Sequence, residues 1–498
     1  MPTAEPPRRG SGARARSRQR PSERTRTGDP ARLAAYRLLR AVDDGAYANL
    51  ELPRILRAGR VGGRDAAFAT ELAYGAIRLR GRYDPILAIT AARELSAVDP
   101  PVLDVLRIGA HQLLGMRVAA HAAVSETVAL ARQVTGAGAA GFVNAVLRRV
   151  GERRLDEWLE LVAPASLEPG ARLAIRESHP LWVVSAWRDA LLGHGRSDRE
   201  SVAKELASVL AADNEPPRVT LVARPGLATT DELVAAGATT RGRWAPTAVI
   251  LPSGDPGQVA AVREGRAAVQ DEGSQLVALA LAAAPVTGQN GPDPARERWL
   301  DLCAGPGGKA GLLAALAVQR GADFVANEVN LTRAELVRQT LRAAAATGRA
   351  GQVKVRTGDG RDVGGLEPAA YDRVLVDAPC TGLGALRRRP EARWRRTPAD
   401  LAPLTALQAE LLASAVEATR PGGVVAYATC SPHLAETVFV VRDLLRRRPD
   451  VEQLDTRQWL RDRDSQPLPS TGAGPAAQLW PDLHGTDGMF LALLRRRG

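Results

Sequence analysis

The chain has 498 residues, a length that predicts roughly three domains, since a single hydrophobic core seldom organises more than about 250 residues. Hydrophobic residues make up 45% and charged residues 24%, ordinary globular values that exclude wholesale disorder. There is no run of about 18 apolar residues and no apolar segment behind the N-terminal arginines, so we expect neither a membrane span nor a secretory signal. Three cysteines exclude a disulfide framework and favour a reducing cytoplasm.

The formal charge is +12, from 67 basic and 55 acidic residues. Such an excess of cations is typical of proteins that contact nucleic acid phosphates. Only Lys204, Lys309 and Lys354 are lysines, so 64 of the basic residues are arginine. This uniform use of arginine also fits a compositional bias. The net charge alone therefore does not distinguish an RNA-binding protein from one with that bias, and the sequence motifs are needed to do so.

The N-terminal part is predicted to be a short tail followed by helices. Residues 1–28 hold eight arginines among proline, glycine and serine, and with nothing apolar to bury we expect a disordered tail. From 29 to 160, apolar residues recur at spacings of three and four, which predicts an all-α domain.

Two further regions follow. Residues 161–262 are expected to form a helical linker and a small α+β module, with strands at 217–223 and 248–251. From 263 to 498, buried strands alternate with amphipathic helices, which indicates a parallel sheet in a doubly wound, Rossmann-like α/β domain. The strands predicted for this domain are 299–302, 324–327, 353–356, 374–376 and 424–428.

A glycine-rich turn, DLCAGPGGK at 301–309, follows the first of these strands. Glycines between a strand and a helix let the backbone approach a ligand and expose amide donors at the positive end of the helix. A Walker loop is rejected, because Cys303 and Ala310 stand where it needs glycine and serine or threonine. A dinucleotide loop is rejected, because the third glycine of its fingerprint is missing.

Acidic residues end the strands that come next. Glu328 closes the second strand, where a carboxylate can accept the ribose hydroxyls of a nucleoside, although alone it equally fits a helix N-terminal charge. Asp359 ends the third strand and would face an adenine, and Asp377 ends the fourth, near the reactive end of the cofactor. A nucleoside site without a pyrophosphate cradle fits S-adenosylmethionine, which is the cofactor we expect.

The three cysteines lie in this domain, each at the end of a predicted strand. Cys303, inside the glycine-rich turn, fits the usual role of a small buried residue. Cys380, in DAPC, and Cys430, in ATCSP, end two strands at the same sheet edge, where open α/β sheets bind their ligands. The six histidines are scattered without metal-ligand spacing, so we expect no metal site.

Paired thiols beside a methyl donor predict one particular reaction. Carbon 5 of a pyrimidine is a poor nucleophile, but a thiolate that adds to carbon 6 turns the ring into an enamine, which can attack a methylsulfonium. Methylation of oxygen or nitrogen needs no such thiolate. The pair therefore indicates covalent methylation of a pyrimidine at carbon 5.

A basic loop, residues 387–396, follows Cys380. It contains Trp394 and six arginines, namely Arg387, Arg388, Arg389, Arg393, Arg395 and Arg396. Cations and an indole beside the pocket predict phosphate contacts and base stacking with RNA, in preference to a solvated loop.

These motifs resemble those of the RsmB/NOP/NSUN family of RNA cytosine-C5 methyltransferases, most closely its bacterial 16S ribosomal RNA branch of the Sun/Fmu type. The likeness extends over nearly the whole chain. DLCAGPGGK looks like the first family motif, DAPCTGLG the fourth, YATCSP the sixth and HGTDGMF, at 484–490, a late motif. Residues 30–151 are similar to the NusB-like RNA-binding domain of this branch.

The resemblance implies roles for individual residues. Cys430 would be the nucleophile, and Cys380 would assist product release. The implied cofactor contacts are Cys303, Ala304, Gly305, Pro306, Gly307, Gly308, Lys309, Glu328, Asp359 and Asp377.

The resemblance also implies the reaction and its setting. We expect S-adenosylmethionine-dependent methylation of a cytosine at carbon 5 in 16S rRNA, naked or in an early small-subunit precursor, by a cytoplasmic monomer without metal or membrane. The small module would be RRM-like, and residues 29–160 would bind RNA. Two alternatives stay open: a non-catalytic NusB-like RNA-binding factor, which would need neither the thiols nor the cofactor loop, and the same chemistry on transfer RNA.

Overall fold

The computed structural model describes residues 28–237, 240–252, 254–288, 296–347 and 351–497, so the predicted disordered tail lies outside the described residues apart from Gly28. Within these ranges, no helix is both long enough and apolar enough to cross a membrane.

The N-terminal region is all-helical, as predicted. Its helices bury leucines on the faces that meet, and Leu38, Leu72, Leu106 and Leu147 are fully buried in one core. The helices are α1 (Pro30–Asp43), α2 (Ala48–Ala58), α3 (Gly63–Arg78), α4 (Arg80–Ala91), α5 (Pro100–Leu114), α6 (Ala120–Thr135), α7 (Ala137–Val150) and α8 (Leu155–Val162). We call this part the helical domain.

Linker helices and a four-stranded antiparallel sheet come next. The elements are α9 (Pro169–Arg176), α10 (Leu181–Gly193), α11 (Val202–Ala212), β1 (Val219–Ala223), α12 (Thr230–Ala235), β2 (Thr240–Arg241), β3 (Ala248–Leu251), α13 (Ala260–Arg263) and β4 (Ala267–Val269). The strand order is β2-β3-β1-β4, so the sheet of the small module runs on to Val269, beyond the expected limit at 262. Val222 and Ala248, on one sheet face, share a core with Leu276 of the following domain.

The third region, the sheet domain, alternates strands and helices. Its elements are α14 (Glu272–Ala283), β5 (Arg298–Asp301), α15 (Gly308–Gln319), β6 (Asp323–Glu328), α16 (Leu331–Ala345), β7 (Val353–Thr357), α17 (Val363–Leu366), β8 (Tyr371–Asp377), α18 (Ala392–Arg395), α19 (Leu401–Ala418), β9 (Thr419–Thr429), α20 (Val438–Arg447), β10 (Val451–Gln453), β11 (Ala477–Gln478), α21 (Pro481–His484) and β12 (Phe490–Arg496). Short 3-10 helices are Leu95–Ala97, Pro256–Gln258, Gly360–Asp362, Leu383–Ala385, Pro398–Asp400, Leu434–Glu436 and Thr456–Gln458.

The topology of the large sheet sets the position of the site. Its main strands follow the order β10-β12-β9-β8-β5-β6-β7, and β5 to β9 pair in parallel. The sheet is mixed rather than wholly parallel, because β12 returns antiparallel along β9 and β10 pairs antiparallel with β12. The chain moves outward from β5 to β7 and then resumes at β8, on the other side of β5. Ligands of such sheets bind outside the carboxyl ends of the strands at this reversal.

The basic loop joins the sheet domain to the helical domain. Trp394 Nε1 donates to the carbonyl of Ile77 at 2.7 Å. The guanidinium of Arg393, fully buried, donates to the carbonyls of Arg78 at 3.1 Å and Ser178 at 2.9 Å, and to Asn214 Oδ1 at 2.7 Å. The Arg393 guanidinium is enclosed by protein acceptors, where an RNA phosphate cannot reach it, and the indole nitrogen of the half-buried Trp394 is bonded to the protein.

The prediction that the basic loop contacts RNA is therefore wrong for Arg393. The other arginines of the loop also have protein partners, with the exception of Arg389, whose side chain makes no hydrogen bond or ion pair with the described residues. Arg387 donates to the carbonyl of Thr486, Arg388 pairs with Asp487, Arg395 donates to the carbonyls of Val42 and Ala46, and Arg396 lies 3.5 Å from Asp400.

The contact of Trp394 with the helical domain yields a first prediction. Trp394→Ala removes a half-buried indole and its hydrogen bond, so the free energy of unfolding should fall by about 2–3 kcal/mol. Trypsin should also cut the arginine-rich loop sooner than in the parent protein. Denaturant unfolding and limited proteolysis would measure both effects.

Phe439→Ala is the matched control, because Phe439 is an aromatic of the sheet domain that is 40% exposed. Its loss should change the free energy of unfolding by no more than about 0.5 kcal/mol. Equal effects of the two substitutions would mean that Trp394 does not hold the two domains together.

Candidate functional site

The glycine-rich turn leaves β5 at Asp301 and enters α15 at Gly308. Gly307, just before the helix, has a φ of 110°, a left-handed conformation that favours glycine. Among the described residues, no side chain caps the N-terminus of α15, and a Cβ at Gly308 would have no neighbour within 4 Å. Amide donors at the positive end of a helix therefore face an open crevice.

Glu328, at the end of β6, holds this turn in place. Its side chain is buried, and the carboxylate accepts hydrogen bonds from the backbone N–H of Gly305 at 2.9 Å and of Asn330 at 3.0 Å. A Cβ at Gly305 would lie 2.1 Å from Glu328 Oε2, so the close approach requires glycine. Carboxylate oxygens accept more than one bond each, and the remaining lone pairs can serve a ligand.

Three charged groups lie together where β5, β8 and α15 meet. Lys309 Nζ lies 2.8 Å from Asp377 Oδ2. Burial lowers the pKa of Lys309, but the adjacent carboxylate of Asp377 more than offsets this and the net shift is upward. Burial, with the charge of Asp377, raises the pKa of Asp301 to about 8. Asp301 Oδ2 has no hydrogen-bond partner among the described residues.

Asp359, beyond β7, is at the outer side of the crevice. Its carboxylate accepts from the backbone N–H of Arg361 at 2.9 Å and pairs with the Arg361 guanidinium at 2.6 Å, which lowers the pKa of Asp359. Arg361 also lies 3.1 Å from Glu410. A ligand at this position would meet a carboxylate that is already paired.

The two cysteines predicted to converge are in contact. Cys380, after β8, and Cys430, after β9, are both half-buried, and their Sγ atoms lie 3.4 Å apart. The hydrogen bond from Cys380 lowers the pKa of Cys430, and Arg389 and Lys309 act in the same direction, whereas burial and Asp377 oppose them. Cys380 retains its proton, because that hydrogen bond and burial raise its pKa well above the ordinary value.

The structure thus assigns different chemistry to the three cysteines. Cys430 is the more readily ionised and hence the more nucleophilic of the pair. Cys303 is packed against the sheet core, and burial raises its pKa well above normal, so it stays a thiol. The residues predicted for the site, from Cys303 to Cys430, all lie at the carboxyl edge of strands β5 to β9.

Sequence reasoning missed two residues that organise this edge. Asn327 Nδ2 donates to the carbonyl of Leu302 at 3.0 Å and of Gly358 at 3.1 Å, and so links the ends of three strands. Glu436 is fully buried and binds the segments that carry both cysteines. The available signals were a polar side chain directly before Glu328 and an acidic residue six positions after Cys430.

Comparison with known proteins agrees with this geometry. The 16S rRNA methyltransferase RsmB/F profile matches residues 292–495, and the NusB family profile matches residues 29–152. A putative methyltransferase of Mycobacterium tuberculosis is 53% identical over 95% of this chain and 98% of its own length. The ribosomal RNA small subunit methyltransferase B of Pseudomonas putida is 31% identical over 85% of this chain and 91% of its own length. The chain belongs to the RsmB/F methyltransferase family.

Solved structures show the same fold. The crystal structure of PH0851 superposes with a TM-score of 0.74 at 21% identity, covering 94% of this chain and 99% of that chain. NSun6 from Pyrococcus horikoshii, solved with SFG, gives a TM-score of 0.52 at 17% identity over 65% of this chain and 99% of its own. The multidomain prediction, with a NusB-like helical part and an α/β methyltransferase domain, is confirmed for this RsmB/F family member.

The position of Lys309 yields a prediction about thiol reactivity. Lys309→Met removes a cation that favours the Cys430 thiolate, and it leaves the opposing charge of Asp377 unpaired. The pKa of Cys430 should rise, so the pH profile of its alkylation by iodoacetamide should move to higher pH. Site-resolved mass spectrometry of the cofactor-free protein would follow this reaction.

Lys204→Met serves as the control, because Lys204 is an exposed lysine of α11, in the linker. Its alkylation profile should match that of the parent. An unchanged profile in the Lys309 variant would contradict the electrostatic coupling between Lys309 and Cys430.

Proposed function

We propose that this protein transfers a methyl group from S-adenosylmethionine to carbon 5 of a cytosine in 16S ribosomal RNA, through a covalent bond between Cys430 and carbon 6. The observation that carries the proposal is the contact of two thiols, 3.4 Å apart, at the ends of neighbouring parallel strands. A methyltransferase that acts on oxygen or nitrogen has no use for this pair. The names of relatives such as the Pseudomonas putida enzyme support ribosomal RNA as the substrate.

The residues of the crevice fit S-adenosylmethionine. The uncapped N-terminus of α15 and the turn from Cys303 to Lys309 would surround the amino acid part. Glu328 has lone pairs left for the ribose hydroxyls, and Asp359 lies at the end of the neighbouring strand, where the adenine would bind. When bound, the cofactor would supply an electrophilic methyl group next to Asp377.

The thiol pair can carry out the chemistry on the base. The Cys430 thiolate adds to carbon 6, and the electron pair of the carbon 5–carbon 6 double bond makes carbon 5 nucleophilic. After carbon 5 has gained the methyl group, loss of its proton to a base and cleavage of the S–C6 bond restore the double bond. The Cys430 sulfur leaves as a thiolate, which the Cys380 thiol, 3.4 Å away, can stabilise by donating a hydrogen bond.

The division of labour between the domains follows from this proposal. Residues 29–160 would bind RNA as a NusB-like domain, 161–262 would form the linker and the RRM-like module, and 263–498 would hold the cofactor. A non-catalytic RNA-binding factor is the weaker hypothesis, because it would not require a thiol whose pKa is lowered or a cation–carboxylate pair beside it. We place the reaction in the cytoplasm, in a monomer.

Replacement of Glu328 tests the cofactor site. The N–H groups of Gly305 and Asn330 bond to different oxygens of Glu328, so Glu328→Gln places an amide NH₂ against one of them and weakens the acceptor for the ribose. S-adenosylmethionine should bind about 30-fold more weakly, or about 2 kcal/mol, by isothermal titration. Glu335→Gln, at an exposed position of α16 paired with Arg338, is the control and should bind as the parent does.

The same titration distinguishes the ligand class. NAD should produce no saturable heat with the parent protein. An unchanged dissociation constant for S-adenosylmethionine in the Glu328 variant, or tight binding of NAD, would count against this cofactor site.

Replacement of Cys380 and replacement of Cys430 should have different effects on the protein–RNA adduct. Cys380→Ala leaves the nucleophile but removes the group that assists its departure, so a protein–RNA adduct should accumulate and survive denaturing electrophoresis. Cys430→Ala cannot form the bond to carbon 6, so neither adduct nor methylated RNA should appear. The double variant is the control and should also trap no RNA.

Several outcomes would overturn the covalent mechanism. Accumulation of adduct in the Cys430 variant would reverse the two roles, and full activity of both variants would exclude covalent catalysis.

Mapping of 5-methylcytosine in RNA from a deletion strain tests the substrate. Loss of a modification from transfer RNA instead of 16S rRNA would change that assignment.

A further inference from the structure

The two thiols lie on separate loops, and their contact depends on what holds those loops together. Cys380 is followed by Thr381 in the loop after β8, and Cys430 by Ser431 in the loop after β9. Near the sulfurs, the two loops are linked by one backbone hydrogen bond, from Gly384 N–H to the Cys430 carbonyl at 2.9 Å, and by a 3.2 Å contact between the hydroxyls of Thr381 and Ser431. Each of these hydroxyls has one hydrogen, and both hydrogens are donated to a third group, so the backbone bond alone would leave the loops room to rotate.

A buried carboxylate supplies the missing contacts. Glu436 is 0% exposed, and its Oε1 accepts from Thr381 N–H at 2.8 Å and from Gln408 Nε2 at 3.1 Å. Its Oε2 accepts from the hydroxyls of Thr381 at 2.5 Å and Ser431 at 2.6 Å. All four bonds converge on one side chain, and three of them come from the residues that directly follow the two cysteines.

The surroundings fix Glu436 itself. Its backbone carbonyl accepts from the hydroxyl of Tyr427, in β9, at 2.7 Å. Gln408, in α19, donates both to the Glu436 carboxylate and to the carbonyl of Pro379, at 2.8 Å, so the residue before Cys380 is held as well. The carboxylate is therefore pre-organised by a strand and a helix of the sheet domain rather than by the loops that it joins.

We propose that Glu436 is the positioning residue that sets the two thiols against each other. Through Thr381 and Ser431 it holds both loops at the separation at which the sulfurs touch. Its carboxylate is fully buried among Thr381, Gln408 and Ser431, and it acts through the two cysteines.

The charge of Glu436 has a second, separable effect. A buried anion next to Cys380 disfavours a second negative charge there, and it contributes to the raised pKa of that thiol. The other charged groups that act on the pair are Asp377, which also opposes ionisation, and Lys309, Arg388 and Arg389, which favour the Cys430 thiolate. Glu436 thereby directs the single negative charge of the pair to Cys430.

Glutamine at this position separates geometry from charge. Its amide oxygen can accept from Thr381 N–H and Gln408, and its NH₂ can donate to the two hydroxyl oxygens, because hydroxyl groups rotate and accept as readily as they donate. Glu436→Gln thus retains the hydrogen bonds that join the two loops but removes the negative charge. Glu436→Ala loses both.

The test measures the thiols directly, in the full chain without RNA. Diamide, a two-electron oxidant that takes up both thiol hydrogens, converts touching cysteines to a disulfide, and linked peptides report the rate. Glu436→Gln should crosslink within about twofold of the parent, whereas Glu436→Ala should be slower by at least about tenfold. The preference of iodoacetamide for Cys430 over Cys380 should fall at least about threefold in the glutamine variant, because the anion is gone.

A matched control and a second variant keep the test decisive. Glu417→Ala removes a glutamate of α19, the helix that carries Gln408; Glu417 is 48% exposed and pairs with Arg448, and this variant should behave as the parent in both thiol assays. If Glu436→Ala does not fold, the pair Thr381→Val with Ser431→Ala removes both hydroxyl donors but leaves the carboxylate, and it should slow crosslinking. Parental crosslinking in either folded variant would overturn the proposal.

This inference concerns the thiol pair of the proposed function, yet its readout needs no methyl transfer. If the parent forms no RNA adduct while the crosslinking results hold, the proposed reaction fails and the positioning role stands. In methylation assays, the alanine variant should lose kcat with little change in KM for RNA, since the residue does not touch the substrate. A loss confined to KM would count against positioning.

Discussion

The parallel pairing of β8 with β9 is the constraint on which the whole site depends. Asp377 pairs with Ala428 and Val376 with Tyr427. Each cysteine lies only two or three residues past a paired position, so both loops start from the same sheet edge. A register shift of one residue would move one loop along the strand by about 3.3 Å and turn alternate side chains to the opposite face. The sulfur–sulfur contact would then be lost.

Buried charges, more than apolar contacts, hold the remaining parts of this edge. Glu328 fixes the glycine-rich turn, Lys309 joins α15 to β8, and Glu436 joins the two thiol loops. A buried charge is costly unless hydrogen bonds compensate it, so each of these residues needs its partners in one arrangement. That requirement gives the crevice a defined shape before any ligand binds.

The central strands could be predicted from their apolar runs. The placement of the cysteines could be predicted as well, because the ends of parallel strands lie at the same edge of the sheet. Residues at the ends of β5, β6 and β8 converge for the same reason. Strands β2 and β4 were not predicted, because segments of two and three residues are too short to show an alternating pattern. The antiparallel position of β12 was not predicted either, because it depends on pairing with the distant strand β9. Glu436 could not be assigned a role, because its partners follow from the packing of two loops.

The basic loop shows a different limit of sequence reasoning. Arginine beside tryptophan is equally suited to RNA and to a buried seam, since both offer oxygen acceptors to the guanidinium. The acceptors of Arg393 are carbonyls such as that of Arg78, more than three hundred positions away in the chain. The composition therefore predicted an RNA-binding surface, whereas in the structure Arg393 lies in the interface between the helical domain and the sheet domain.

The seam between the domains also has a consequence for biosynthesis. The carbonyls of Ile77 and Arg78 are made early, but Arg393 and Trp394 leave the ribosome only after some 315 further residues have been added. At about 5–20 residues per second, that interval is roughly 15 to 60 seconds. During it the helical domain exists without its partner: the Arg78 carbonyl gains the Ser178 hydroxyl after 100 residues, but the Ile77 carbonyl still lacks its Trp394 donor. The catalytic half then completes its folding against a preformed surface, so the order of synthesis makes the N-terminal half a template for the segment that follows Cys380.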